Sequence, residues 1–200
     1  MVSFSTALET ERLVAIVRGD DARAAVRTLF ESGVRLVEIS LTSPDALGVI
    51  ADLAGETPED GWLGVGTIRT PEDVDGALAA GARFAVSPAA TAVVGHSVRS
   101  GLPVLAGVLT PTEVETALGH GAQALKLFPA SLGGVDHLKA LRAPFPEVPF
   151  VPVGGVGVDE AVVYLKAGAV AVGVGSPLMG SGLSGLADRA RRMLEAVAAR

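Results

Sequence analysis

Five glycines set a beat along this 200-residue chain. Gly33, Gly81, Gly101, Gly121 and Gly168 each follow a segment with helical spacing of apolar residues and precede a short apolar run. The middle three are 20 residues apart, and the flanking gaps, 33 to 81 and 121 to 168, each leave room for one further unit. Glycine just past a helix supplies the left-handed residue that ends it. Short apolar runs alternating with helices point to parallel strands covered on both faces. Eight such units in one domain spanning residues 1–200 predict an α/β fold, the (β/α)8 TIM barrel, here with a short N-terminal helix. The competing open doubly wound sheet usually carries Gly-x-Gly-x-x-Gly after its first strand, where this chain has Arg18-Gly19.

The expected elements follow in order. A short amphipathic helix covers Ser3 to Glu11, and strand one is Leu13 to Val17. Asp20 or Asp21 can cap the next helix, whose Ala22, Ala25, Val26, Leu29 and Phe30 share a face. Strand two is Leu36 to Ile39, and Ser43-Pro44-Asp45 should start a helix with proline in its first turn. Strand three is Leu63 to Val65; Thr70-Pro71-Glu72-Asp73 is a helix start close to a capping box, and Thr110-Pro111-Thr112-Glu113 is a full one. Strands four and five are Arg83 to Val86 and Pro103 to Ala106. Strand six lies in 122–129, strand seven is Phe150 to Val153, and strand eight is Val170 to Val174. The last helix is expected over Leu183 to Ala199.

Strand six, Ala122-Gln123-Ala124-Leu125-Lys126-Leu127-Phe128-Pro129, holds one lysine in an apolar run. Burying an unpaired ammonium favours loss of its proton. The resulting amine is a nucleophile suited to a Schiff base with a carbonyl substrate. Barrel enzymes keep their catalytic groups at the carboxyl ends of the strands. There this chain has Arg18, Glu38, Thr67, Ser87 and Lys126, and little charge elsewhere in the strands. The glycine loops Val153-Gly154-Gly155-Val156-Gly157 and Val174-Gly175-Ser176 follow strands seven and eight, where barrels commonly cradle a phosphate. Three readings stay open on these residues alone: a Schiff-base enzyme, an acid/base isomerase or epimerase using Glu38 and Lys126 without a covalent intermediate, and a non-catalytic scaffold in which the two form a buried ion pair.

Other classes are disfavoured. A net charge of −6 without a basic stripe argues against nucleic acid. His96, His120 and His137 lie on separate predicted helices without ligand spacing, so no metal is expected. The absence of cysteine excludes disulfides. No uncharged apolar run is long enough to span a membrane, and Met1 to Thr6 does not read as a signal peptide, so a cytoplasmic protein is expected. Trp62, the single tryptophan, is expected in the core or an interface.

Several segments together carry a resemblance. They are Ala15-Ile16-Val17-Arg18-Gly19, Val37-Glu38-Ile39, Gly64-Val65-Gly66-Thr67, Ser87-Pro88, Ala124 to Ala130 and Val153-Gly154-Gly155-Val156. Over nearly its whole length the chain resembles the class I aldolases that split 2-keto-3-deoxy-6-phospho sugar acids, the KDPG/KDPGal/KHG aldolases. The resemblance implies a homotrimer, no metal or organic cofactor, and cleavage to pyruvate and D-glyceraldehyde 3-phosphate, or of 4-hydroxy-2-oxoglutarate. It implies Lys126 as the Schiff-base residue and Glu38 as general acid/base. Arg18 and Thr67 would hold the substrate carboxylate, and Gly154, Gly155, Gly175 and Ser176 the phosphate. Val153, Ser87, Pro88 and Phe128 would line the substrate pocket. Thr42, four residues after Glu38, together with Val153 and Arg18-Gly19, is similar to the galactonate-type branch.

Overall fold

The computed structural model describes residues 2–180 and 182–199. Eight parallel strands form one sheet: β1 (Leu13–Val17), β2 (Leu36–Ser40), β3 (Trp62–Gly66), β4 (Ala85–Val86), β5 (Val104–Val108), β6 (Ala124–Leu127), β7 (Phe150–Pro152) and β8 (Val172–Val174). Its order is β7-β6-β5-β4-β3-β2-β1-β8. A single parallel bridge, Val153 to Gly173, joins the two ends and closes the ring. The strands alternate with helices α1 (Phe4–Glu11), α2 (Ala22–Glu31), α3 (Ala46–Ala54), α4 (Pro71–Ala79), α5 (Ala92–Arg99), α6 (Pro111–Gly119), α7 (Gly134–Arg142), α8 (Val158–Lys166), α9 (Ser176–Met179) and α10 (Leu186–Ala198). This is the expected (β/α)8 barrel, entered through the short helix α1.

The strands are buried at every position because both faces are covered. Alternate side chains divide into two cores. Ala15, Val17, Val37, Ile39, Val65, Leu125 and Leu127 pack outward against the helices. Val14, Ile16, Leu36, Val86, Leu105, Ala124, Val151 and Val153 fill the barrel interior. Helix α1 closes the amino-terminal end: Phe4 lies 5.0 Å from the Phe84 ring and 5.5 Å from Trp62, which places Trp62 in the core.

The glycine beat has one cause. Gly33, Gly81, Gly101, Gly121 and Gly168 have φ of +97°, +86°, +80°, +85° and +94°. After each, the next residue's N–H reaches back to a carbonyl five residues earlier: Val34 to Leu29, Ala82 to Ala77, Leu102 to Ser97, Ala122 to Ala117 and Ala169 to Tyr164. That bond satisfies a carbonyl at the helix end and turns the chain into the next strand. The expected capping box of Thr110 with Glu113 forms, and Thr70 with Asp73, read as close to one, completes a box as well.

Three local expectations fail. Asp21 stands at the start of α2 without a side-chain capping bond. Pro44 lies before α3, because Asp45 takes a left-handed φ of +49° and the helix begins only at Ala46. The last helix starts at Leu186 rather than Leu183, since Gly180, Gly182 and Gly185 all have positive φ, and the short α9 precedes them where a loop was expected. Among the described residues, no helix is long and apolar enough to cross a membrane.

Candidate active site

The same alternation that packs the interior aims two charged side chains into it. Lys126 follows Ala124 on β6, between Gly107 and Val151; Glu38 lies between Leu36 and Ser40 on β2, between Ile16 and Gly64. In the closed ring β2 and β6 are opposite one another. Lys126 is 4% exposed and Glu38 2%. Burial pushes the Glu38 carboxyl up, and the charges of Lys126 and Arg18 oppose that shift. Burial pushes the Lys126 amine down; Glu38 opposes it and Arg18 adds to it. Glu38 Oε2 is buried with no hydrogen-bond partner, so the carboxylate is not locked into a structural ion pair through that oxygen. Leaving such an atom unsatisfied is unfavourable and marks a place for a ligand or water.

Glycines on the inward positions make the room. A Cβ at Gly66 would stand 2.7 Å from Glu38 Oε1, one at Gly107 2.2 Å from the Pro88 carbonyl oxygen, and one at Gly64 2.4 Å from the Phe84 ring. In the sequence these glycines read as strand ends and motif members, not as the space of the site. Their signal is nonetheless present there: glycine at alternate, inward positions of an otherwise bulky strand marks close approach.

Thr67 sits just past β3 with φ of +68°, a left-handed conformation that is unusual for a β-branched residue. Its hydroxyl is 2.9 Å from that of Ser40, which is 2.8 Å from that of Thr42. Ser40 is fully buried, and sequence reasoning missed it although it continues the inward period Leu36, Glu38, Ser40. Thr42 and Thr67 line a cavity of about 450 Å³ with Arg69 and Asp73. The Asp73 carboxylate there accepts the backbone N–H groups of Arg69 and Thr70.

Arg18 lies exposed beyond β1 and lines a cavity of about 210 Å³ with Gly175, Ser176 and Gly180. The loop after β7 carries Gly154 and Gly155 with φ of +98° and +76°. The Gly157 N–H at the start of α8 already donates to Glu160 at 3.0 Å, so the free amides of that loop lie earlier. Val153 is buried and points inward beside Gly173. Ser87 is fully buried, and its hydroxyl donates to the Ala89 carbonyl at 2.9 Å, which shapes the Pro88 turn rather than offering a donor. Phe128 stands at the mouth, its ring centroid 4.9 Å from Lys126 Nζ. The predicted residues thus gather at one end of the barrel, Arg18 and the glycine loops on one side and Thr67 on another.

The histidines do not join them. His96 contacts Asp75 at 2.9 Å, and His137 contacts the Leu109 carbonyl at 2.7 Å. Among the described residues, no three His, Asp or Glu side chains gather where a metal could be held. A larger cavity of about 590 Å³, lined by Val2, Thr10, Glu11, Asp60 and Trp62, lies beside α1 and contains none of these residues.

Known proteins share this architecture. The profile of the KDPG and KHG aldolases matches residues 5–191. The 2-dehydro-3-deoxy-phosphogluconate aldolase of Treponema pallidum (strain Nichols) is 37% identical over 170 residues, 82% of this chain and 80% of its own. The 2-dehydro-3-deoxy-6-phosphogalactonate aldolase of Escherichia coli (strain K12) is 37% identical over 177 residues, 86% of each chain. A solved structure of KDPG aldolase from Legionella pneumophila, with pyruvate captured as a covalent carbinolamine intermediate, superposes with a TM-score of 0.83 at 28% identity and covers 98% of both chains. With a profile match from residue 5 to residue 191 and relatives this similar over most of their length, the chain belongs to the KDPG and KHG aldolase family.

Proposed function

We propose that this protein is a class I aldolase that reversibly cleaves a 2-dehydro-3-deoxy-6-phospho sugar acid to pyruvate and D-glyceraldehyde 3-phosphate, with Lys126 forming the Schiff base. The supporting observation is the buried, inward pair Lys126 and Glu38 at the carboxyl end of a barrel of this family. Burial moves the lysine toward its free amine, the nucleophilic form. It moves Glu38 toward a carboxyl that can both give and take protons.

The Nζ lone pair attacks the C2 ketone, and the carbonyl oxygen takes protons and leaves as water. The iminium so formed is an electron sink. Glu38 moves these protons, then takes the C4 hydroxyl proton as the C3–C4 bond breaks and its electrons pass to the iminium, giving an enamine. The aldehyde leaves, C3 is protonated from Glu38 or its water, and hydrolysis frees pyruvate. Thr67 and Arg18 hold the carboxylate, and Gly154, Gly155, Gly175 and Ser176 hold the phosphate. Val153, Ser87, Pro88 and Phe128 wall the pocket. Nothing in this scheme requires a metal or an organic cofactor. Relatives of both gluconate and galactonate type match at 37% identity, so both C4 epimers belong in the assay. A homotrimer fits the exposed apolar side chains Leu132, Val158 and Val163, which a neighbouring subunit would cover; sedimentation at micromolar concentration should give three times the 20.2 kDa chain mass.

The test is intact mass after incubation with pyruvate and borohydride, followed by peptide mapping. One reduced pyruvyl group on the Lys126 peptide is expected, absent in Lys126→Ala. A folded protein that forms no adduct while interconverting phosphorylated sugars would favour the isomerase reading. Arg18→Ala should raise the pyruvate concentration needed for trapping roughly tenfold, the loss of one charge-assisted contact; unchanged trapping would remove Arg18 from the carboxylate site.

A further inference from the structure

Phe128 does more at the mouth of the pocket than fill space. It is 39% exposed, one of the few large apolar side chains left in solvent. Only 4% of the chain is aromatic, so an aromatic side chain is not its usual filler. Its N–H bonds to the Val108 carbonyl at 3.1 Å and carries the strand path past Leu127, so its side chain falls on the same side as Lys126, two residues before. Lys126 Nζ lies over the ring, 4.9 Å from its centroid. The ring is held from another side by backbone: a Cβ on Gly154 would stand 3.2 Å from its Cε2 atom. The ring is therefore placed between the amine and the glycine loop. A cation within about 6 Å of a ring face is attracted by the negative π cloud, and more strongly where water is excluded.

We propose that the face of Phe128 stabilises the positive charge that appears on Nζ when Lys126 and the substrate ketone become an iminium, which makes Phe128 a catalytic residue. This rests on Lys126 being the Schiff-base nucleophile. The balance of the step is simple. A neutral amine, a ketone and one proton give an iminium and one water; the nitrogen forms its bond to C2 and the C2–O bond breaks. Where the resting amine is uncharged this charge is new, so the ring favours the adduct over the free enzyme. It disappears again when C3–C4 cleavage delivers an electron pair and forms the neutral enamine. The ring therefore promotes substrate capture rather than bond breaking, and adduct formation is the quantity to measure.

The experiment replaces Phe128 by 4-fluoro-, 3,5-difluoro- and 3,4,5-trifluorophenylalanine in the full-length protein. Successive fluorines drain the π face with little change of shape. At alkaline pH, where the resting amine is uncharged, one measures the pyruvate concentration that half-saturates borohydride inactivation. It should rise with each fluorine, by roughly three- to tenfold across the series, at constant melting temperature. A flat series overturns the proposal and leaves Phe128 a packing residue. Phe128→Tyr and Phe128→Leu test the same point with natural side chains: tyrosine should hold the wild-type value within about twofold, and leucine should lose as much as the trifluoro variant. Equal trapping by both also overturns it. Failure of the wild-type protein to form any adduct is a separate result, which removes the Schiff-base reading itself and this proposal with it.

Discussion

At Gly66 a Cβ would stand 2.7 Å from the end of the Glu38 side chain; at Gly107 it would stand 2.2 Å from the backbone of Pro88. The difference decides what each substitution does. The Glu38 carboxylate can swing aside, so Gly66→Ala should leave folding nearly intact but displace the group proposed to transfer protons. An aldolase turnover reduced roughly 10²-fold, the usual scale of lost general acid–base catalysis, with an unchanged melting temperature is the expected result. The Pro88 turn cannot move without moving the buried Ser87, so Gly107→Ala should destabilise by about 1–3 kcal/mol, as overpacking does. Urea denaturation of the two variants checks both statements, and a stable Gly107→Ala protein would contradict the second.

Helix ends and strand ends place the chemistry, and one arginine dominates the last of them. Arg189 on α10 donates to the carbonyls of Leu178, Met179, Gly182 and Ser184 at 2.5, 2.7, 2.7 and 2.7 Å. Among the described residues these hydrogen-bond partners are all carbonyls, whose dipoles hold the half-buried guanidinium. Met179 and Gly180 in turn wall the cavity that Arg18 shares with Gly175 and Ser176. Arg189→Met removes a donor from each of those carbonyls, of which Met179 keeps the Gly182 N–H, and loosens the wall. KM for the phosphorylated substrate should rise several-fold, more than the pyruvate concentration needed for trapping, because the loosened wall faces Gly175 and Ser176 as well as Arg18. Equal loss of both would mean a general loss of fold instead. At the neighbouring loop, buried Tyr164 donates its hydroxyl to the Ala130 carbonyl at 3.0 Å, and so ties α8 to the turn that follows Lys126.

The molecule as a whole carries its centre as a thermodynamic burden. Lys126 has a folded-state pKa below its ordinary 10.5, so the folded state binds that proton more weakly than the unfolded chain. The resulting penalty is full below the depressed value and fades as pH rises through 10.5. Glu38 has a folded-state pKa above its ordinary 4.5, so its penalty is absent below 4.5 and grows as pH rises through the raised value. Both penalties act near neutrality. The double variant Lys126→Met/Glu38→Gln should therefore be more stable than wild type at pH 7, on the order of 1–4 kcal/mol, as when buried charges give way to neutral groups. For Lys126→Met alone the advantage should shrink as pH climbs toward 10.5. Denaturation followed from about pH 7 to about pH 10 tests the sign; an advantage that grows with pH would refute it.

Much of this architecture is legible in the chain because local physics writes it there. A left-handed residue after five of the helices favours glycine, so the beat at 33, 81, 101, 121 and 168 displays the units before any contact is known. A charged residue in a doubly covered strand is unfavourable enough to be conspicuous, which exposes Lys126 and Glu38. Where local rules compete, the sequence misleads: Pro44 promises a helix start, but the left-handed Asp45 postpones it, and the positive-φ glycines 180, 182 and 185 delay the last helix to Leu186. Depth and facing are decided only by the closed sheet. Ring closure through Val153 and Gly173 sets β2 opposite β6, and the period of two then turns Ser40, Gly66 and Gly107 inward with the charged pair. Spacing along the chain carries helix ends and strand faces, because those depend on residues a few places apart. Empty space beside Glu38 and a ring over Lys126 depend on strands far apart in sequence, and only their packing creates them.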